Sequence, residues 1–532
     1  MNKLLMETLF YTVLAIGAVS FSAAAMIWHL YMFQLNHYIH ADHWRWMLRD
    51  LKRLRTVLFA LGSGAAAVWC GKYTAGAAAM WKGECYGALA AGAVLIVGAL
   101  ITGFSAFRKL KYTRRVKTLI VTAALLEAAV AAVMFFVCFF WYSESVAIAC
   151  ALIPWLIMLS DWVDWPIEHG FRAYYVRDAK KLLARNPDLI VVGITGSYGK
   201  TSMKYFLSSL LGLKYDVLMP PGSCNTPMGI VKFIRENITL SHEVFVCEMG
   251  ARRVGEIKEI CDLVNPRHAV ITAVGEQHLE TFKSIENVRR TKFELAEAVP
   301  EGGMVFLNGD NQFMRDYGLE KPHLYYGLNE NDWRAEEVLE NPFVSFTAVA
   351  PDGRKARIET KLLGRHNVLN LIGAIAVADY LGVSLDAIAA HAKKIAAPSK
   401  RLTLAELPEA TYIDDAFNSN PEGCMEALHI LSLFKNECRV LVTPGMFELG
   451  AKQYEYNRDF GVAAGKVCDV IILIGEEQSR PIADGVRSTD FPAERLFIVG
   501  DLAAAKEKLA RFDDGTKRRK AVLFENNLPD NH

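Results

Sequence analysis

The chain has 532 residues, 52% of them hydrophobic and 22% charged, with 59 Lys and Arg against 58 Asp and Glu. That length is several average domains, the hydrophobic share excludes intrinsic disorder, and a net charge of +1 excludes a global basic field that would draw nucleic acid. The apolar excess lies before Asp161, where long runs lack charge, whereas the remainder has the composition of a soluble α/β protein.

In chain order, apolar segments occur at Thr8–Phe33, Val57–Cys70, Cys85–Phe107, Thr118–Tyr142 and Ser145–Val163. Crossing the hydrocarbon takes about 20 helical residues, so four are long enough and the second is short and glycine-rich, either a span extended to Met80 or a re-entrant segment. Basic clusters follow the first segment (Arg45, Arg49, Lys52, Arg53, Arg55) and the third (Arg108, Lys109, Lys111, Arg114, Arg115, Lys117). About five spans with the N-terminus outside put both clusters and everything after Val163 in the cytoplasm. The expected location is a bacterial cytoplasmic membrane, multi-pass, in contact with membrane lipid. A cleaved signal peptide at Ala23 and Ala25 is the competing reading of the first segment, opposed by a weak n-region and an apolar run that continues to Phe33.

His37, His40 and His43, spaced in threes, suggest either a metal ring or an interfacial belt with Trp44 and Trp46. Glu127, inside the fourth segment, is either functional or a satisfied packing residue. The ten cysteines form no C-x-x-C pair, so they read as small core residues of a reduced protein rather than as a zinc or redox site.

Arg172–Leu183 reads as a basic-aromatic linker helix at the membrane surface, ended by Asn186-Pro187. The expected organisation is a transmembrane module over 1–165, a linker over 166–188, a nucleotide-binding domain over 189–398 and a second α/β domain over 399–532. The apolar run Leu189–Ile194 predicts a buried strand. Thr195-Gly196-Ser197-Tyr198-Gly199-Lys200-Thr201-Ser202 follows, then a helix over Met203–Leu211. In such a strand–turn–helix, loop amides wrap phosphate oxygens, Lys200 reaches the β- and γ-phosphates and the Thr201 hydroxyl ligates Mg²⁺. The common G-x-x-x-x-G-K-[ST] pattern wants glycine where Ile194 stands, and a shorter T-G-x-x-G-K-T form fits.

A second buried strand is expected at Val244–Ala251 with Glu248 at its end. A third is expected over Ile271–Glu280, ending in Glu276 and His278. Both would finish at the sheet edge that carries the phosphate loop, where Glu248 and His278 suit Mg²⁺ or Mn²⁺. Lys292 follows on a helix predicted over Val288–Ala298; a lysine beside metals is unfavourable unless its charge changes.

Phosphate loops serve many reactions. Six stretches narrow the choice: Thr195–Thr201, Glu248-Met249-Gly250-Ala251, Gly275–Glu280, Gly364-Arg365-His366-Asn367-Val368-Leu369-Asn370, Asp414–Pro421 and Pro444–Gly450. From Leu189 onward the chain resembles the Mur ligase family, the ATP-dependent amide ligases of peptidoglycan precursor synthesis. It is most similar to the branch that joins D-alanyl-D-alanine to a muramoyl tripeptide. The resemblance implies a P-loop central domain and a Rossmann-like C-terminal domain, here preceded by an α-helical transmembrane module.

It further implies ATP bound by Thr195, Gly196, Ser197, Gly199, Lys200, Thr201 and Ser202, with Asn367 and Asn370 on adenine. Arg401 would hold the γ-phosphate and Asp415, or Asp414, the ribose. Metal would be held by Thr201, Glu248, His278 and a carbamoylated Lys292. Lys200, Lys292 and His278 would be catalytic. Asn225 and Thr226 would meet the muramoyl peptide, and Phe417, Asn418 and Asn420 would lie near the incoming amine. An acyl phosphate is the implied intermediate.

The sequence departs from the family where membrane segments replace a uridine-gripping domain, which suggests either a tethered ligase using a UDP-linked substrate or a lipid-linked substrate. It also departs at Thr443-Pro444, where Gly-Asp is expected, and this bears on the acceptor amine. Amidation or extension of a different carboxylate is the alternative reaction. An ATP-gated transporter or sensor is the alternative of another class, and only Glu127 lies clearly inside a span to support it.

Overall fold

The structure is a computed structural model. It describes residues 3–36, 38–49, 51–74, 80–103, 110–137, 142–275, 279–399, 401–416, 421–447, 449, 452–512, 515 and 518–526. It divides into two units, Met1–Tyr174 and Tyr175–His532.

The first unit is helical. Lys3–Leu35, Met80–Gly103 and Arg114–Val137 each contain a stretch long and apolar enough to cross a membrane. Arg55–Cys70 is a shorter apolar stretch. The last expected span is two helices, Ser143–Ala151 and Ile153–Leu183, bent by 57°. Together they would make a fourth crossing, so among the described residues three helices, or four with the bent pair as one span, qualify by length and composition. Small residues let the helices approach: a Cβ on Gly17 would lie 2.5 Å from the Gly92 carbonyl oxygen. Several polar groups within the unit pair with one another. Arg115 and His40 meet Asp161 at 2.8 and 3.1 Å, and Thr122 donates to Asp164 at 2.8 Å. His37 lies outside the described residues. His40 is hydrogen-bonded to Asp161 and His43 stacks on Trp46 with centroids 5.4 Å apart.

Helix Ile153–Leu183 continues through Pro166, so the expected linker is its C-terminal part. Its last turns belong to the second unit rather than to a membrane surface. Ala179 is fully buried with Ile230 and Ile234, and Asp178 pairs with Arg235 at 2.6 Å.

The second unit holds two sheets. The first comprises β1 (Ile190–Thr195), β2 (Val217–Leu218), β3 (Val244–Glu248), β4 (His268–Ile271), β5 (Val305–Asn308), β6 (His323–Gly327), β7 (Trp333–Asn341), β8 (Phe343–Val349) and β9 (Lys355–Leu363). Their order is β2-β3-β1-β4-β5-β6-β7-β8-β9, parallel as far as β7 and antiparallel from β7 to β9. The β-branched run of β1 is buried on both faces, as a parallel strand covered by helices must be. Helices Lys200–Leu211 and Arg365–Tyr380 cover one face with Phe206, Leu210, Leu371 and Ile375. Helices Pro227–Asn237, Glu256–Val264 and Ile285–Glu297 cover the other with Ile230, Ile260 and Phe293.

Two expected elements shift. The third strand is His268–Ile271, because beyond Ile271 the chain turns toward the phosphate loop; Glu276–His278 lie outside the described residues. The lysine-bearing helix starts at Ile285, where the Ser284 hydroxyl caps Asn287 N.

The second sheet comprises β10 (Thr403–Glu406), β11 (Ala410–Asp415), β12 (Cys438–Thr443), β13 (Val470–Ile474), β14 (Leu496–Val499) and β15 (Lys520–Glu525), ordered β10-β11-β15-β12-β13-β14. Only β10 is antiparallel. Helices Pro421–Ser432, Gln453–Val467 and Glu476–Arg487 cover one face and Leu502–Arg511 the other.

Candidate active site

Strand β1 lies between β3 and β4, so the carboxyl ends of the three strands open one crevice beside a reversal of strand order, the position where open α/β sheets bind ligands. The chain leaves β1 at Thr195, whose hydroxyl donates to Met249 O at 2.9 Å. Gly196 and Gly199 have φ of +151° and +80°, conformations that side chains rarely adopt. Ser197 N donates to Ala273 O at 2.7 Å, and Ser197 Oγ exchanges hydrogen bonds with Gly275 at 3.0 and 3.1 Å. The loop is thereby tied to the segment that leads to His278.

Lys200 opens the following helix. Its ammonium folds back onto the carbonyls of Gly196 (2.6 Å) and Ser197 (3.0 Å), holding the loop in a phosphate-sized curl. Burial pushes it down to about 8, with Glu248 pulling upward and the Arg401 cation pushing downward. Thr201 Oγ1 donates to Glu248 Oε1 at 3.1 Å, and Asn225 Nδ2 donates to the same oxygen at 3.0 Å. Glu248 Oε2 is buried without a hydrogen bond and lies 3.1 Å from Lys204 Nζ in an ion pair. A buried carboxylate oxygen with open lone pairs, next to a threonine hydroxyl and a curled phosphate loop, fits Mg²⁺ carried in by a nucleotide. Among the described residues no three His, Cys, Asp or Glu side chains converge as a metal cage.

Lys292, on helix Ile285–Glu297, is buried and its ammonium is pushed down to about 7, by desolvation first and then by Lys200. Ser202 is buried on the helix behind the loop, and Thr226 sits at the N-cap of Pro227–Asn237. Asn370 packs against Gly199, where a Cβ would come within 2.4 Å of Asn370 Oδ1. Asn367 is turned inward: its amide donates to Leu363 O at 2.8 Å and its Oδ1 has no partner. Arg401, from the second sheet's domain, is largely buried within electrostatic reach of Glu248 and Asp415. Asp415 Oδ1 accepts from Leu402 N at 3.0 Å, and burial raises the Asp415 carboxyl above its usual range. His278, Phe417, Asn418 and Asn420 lie outside the described residues.

Three residues absent from the sequence reading help build the site. Thr272 donates to Tyr198 O and Thr195 O, fixing both sides of the loop. Lys204 is fully buried, although its spacing of four from Lys200 could have signalled a shared helix face. Glu426 accepts from Arg365 N at 2.7 Å and joins the two α/β domains.

Residues 194–378 match the Mur ligase middle domain. Those residues therefore carry a Mur ligase middle domain. The chain is similar to the UDP-N-acetylmuramoyl-tripeptide–D-alanyl-D-alanine ligase of Bacillus subtilis (strain 168), 29% identical over 276 residues, 51% of this chain and 59% of that one. The chain thus spans less than two thirds of that relative's length. MurF from Acinetobacter baumannii superposes with a TM-score of 0.60 at 25% identity, over 67% of this chain and 77% of that one. The MurF ligase of Thermotoga maritima, solved with ADP, shares the fold with a TM-score of 0.58 at 24% identity, over 67% and 80%. Over the shared region the chain is MurF-like, and its apolar helices precede that region.

Proposed function

We propose that the chain is an ATP-dependent ligase that joins D-alanyl-D-alanine to a muramoyl tripeptide, and that a lipid carrier presents this peptide at the membrane. The observation that carries the reaction is the convergence of Lys200, Thr201 and Glu248 with the buried Lys292 at the ends of β1 and β3. The apolar helices favour the lipid-linked form, since a substrate held in the same membrane gains effective concentration that replaces a uridine grip.

In this reading a substrate carboxylate oxygen attacks the γ-phosphorus of ATP, ADP leaves, and the amine then attacks the acyl carbon while phosphate departs and the amine loses a proton. Lys200 exchanges its loop carbonyls for the β- and γ-phosphates, and Arg401 adds a second positive charge from the C-terminal domain. Thr201 and Glu248 would hold Mg²⁺, which when bound would supply positive charge to the phosphates. Lys292, buried with its ammonium pushed down to about 7, would add its neutral amine to CO₂ and release one proton to solvent, and the carbamate anion so formed would be a further ligand for the metal. Asn370, packed against Gly199, would contact adenine, and Asp415 would receive the ribose.

The test is phosphate release by the detergent-solubilised full chain with ATP, Mg²⁺ and D-alanyl-D-alanine. UDP-linked and lipid-linked muramoyl tripeptide are offered in parallel. Turnover with the lipid-linked form is expected. Turnover with the UDP form alone would make the helices a tether, and nucleotide binding without turnover on either would move the assignment to another amide ligation.

A further inference from the structure

Lys204 has no part in the reaction just described, yet it is the most demanding side chain near it. It lies one helical turn after Lys200 and is completely buried. Its ammonium has three protons and three partners: Pro220 O at 2.8 Å, Gly222 O at 2.5 Å and Glu248 Oε2 at 3.1 Å. The neighbouring Tyr205 hydroxyl accepts from Gly222 N at 3.2 Å. The same loop ends at Asn225, whose side chain donates to Glu248 Oε1 and whose carbonyl accepts from Gly250 N at 2.8 Å. One buried cation therefore fastens the loop over 220–222 to the carboxylate that closes β3, and Asn225 fastens it again from the far end.

A buried ammonium adds little net stability, because desolvation cancels most of its attraction; a methionine would fill the same core space. What the ammonium supplies is geometry. We propose that Lys204 is a positioning residue that sets the loop Pro220–Asn225 in register with Glu248, so that an acceptor carboxylate on the loop and a metal–nucleotide on Glu248 stand at a fixed separation. The identity of the substrate rests on the ligase reading above; the coupling of loop to carboxylate does not.

The experiment uses the full chain in detergent with Lys204→Met. Amide hydrogen exchange is read over 219–226 and over β1, the affinity for fluorescent ADP with Mg²⁺ is titrated, and KM is measured for the muramoyl tripeptide. Losing the buried hydrogen bonds should speed exchange in the loop and raise the peptide KM by about tenfold or more, with β1 unchanged. Affinity for Mg²⁺–ADP should not weaken, because removing a cation beside Glu248 cannot loosen another cation's hold there.

Unchanged loop exchange and peptide KM, or weakened nucleotide binding with the loop unaltered, would overturn the proposal. Should Lys204→Met fail to fold, Tyr205→Phe removes only the acceptor for Gly222 N. A rise of about threefold confined to the same loop is then expected, and no change would overturn the idea. If the wild-type chain turns over no muramoyl peptide, the ligase reading fails while the exchange and nucleotide measurements still decide on Lys204.

Discussion

A Cβ on Gly196 would stand 2.1 Å from the Thr272 hydroxyl oxygen, so the phosphate loop is held to glycine by a side chain just past the end of the neighbouring strand. The same hydroxyl bridges Thr195 O and Tyr198 O, and displacing it would unmake the curl on which nucleotide binding depends. Gly196→Ala should therefore weaken Mg²⁺–ADP binding by about tenfold or more, through both the clash and the strained φ. Thr272→Ala removes the clashing oxygen, so the double variant should lose less affinity than the sum of the two singles. Strict additivity in a fluorescent-nucleotide titration would show that the two residues do not act through this contact.

Lys292 makes stability depend on pH with a definite sign. Its folded value is about 7, against about 10.4 for a lysine in an unfolded chain. Between these values the unfolded chain binds the extra proton, so stability rises with pH across this window and is lowest below about pH 7, where a charged ammonium stays buried. Lys292→Met never charges. It should be the more stable protein at pH 6, by an amount on the order of 4 kcal/mol, and should lose that advantage as the pH climbs toward 10. Urea unfolding in CO₂-free buffer reads the difference, which cancels the similar titration of Lys200. A wild-type-minus-variant difference that stays flat from pH 6 to 9 would contradict the burial of this amine.

The nucleotide half of the site was legible because its signals are local. The run Ile190–Thr195, two glycines and Lys200 lie within a dozen residues, and the strand–turn–helix they predict is the one found, with the helix starting at Lys200 because Gly199 takes the left-handed turn at its N-cap. Glu248 was legible for the same reason, as a carboxylate at the end of a wholly apolar strand. Lys204 was not, because a lysine on a helix reads as solvated until Pro220, Gly222 and Glu248 are brought around it by pairing of β3 with β1. The antiparallel β7–β9 extension and the place of β15 between β11 and β12 depend likewise on contacts distant in sequence. In the helical unit, hydropathy located the apolar runs but did not show the bend at Leu152 that divides the last of them.

Glu426 ties the C-terminal domain to the start of helix Arg365–Tyr380, which carries Asn367 and Asn370. Its Oε1 accepts from Arg365 N at 2.7 Å and lies 3.7 Å from His366 Nδ1, while His429 on the same helix as Glu426 meets Glu340 at 3.2 Å. Burial raises the Glu426 carboxyl, but the His366 hydrogen bond and charge outweigh it and hold the group below its usual value. A lowered carboxylate adds stability that is present above the unfolded value and lost as the pH falls through the folded one. Glu426→Ala should remove about 1 kcal/mol of capping and loosen the docking of the two domains. Limited proteolysis near 396–402 should accelerate in the variant at pH 7, and the wild type should approach the variant's rate as the pH falls below the usual carboxylate range. Equal cleavage rates at pH 7 would mean that this contact does not hold the domains.

Glu127 has a partner that decides between its two readings. Ser22 Oγ, on helix Lys3–Leu35, donates to Glu127 Oε1 at 2.5 Å and lies 3.7 Å from Cys150 Sγ, so the Ser22 hydroxyl joins three helices and the carboxyl is hydrogen-bonded to one of them. Interhelical hydrogen bonds of this kind contribute about 0.6 kcal/mol on average, enough to orient helices and far too little to drive a reaction. Glu127→Gln keeps an acceptor for Ser22 and should leave both thermal stability in detergent and phosphate release near wild type. Glu127→Ala should lower the melting temperature by a few degrees while the surviving protein turns over at the wild-type rate. A Gln variant that is fully stable yet slow would instead require the carboxyl itself, because packing and hydrogen bonding are conserved in that variant and only the ionisable group is gone.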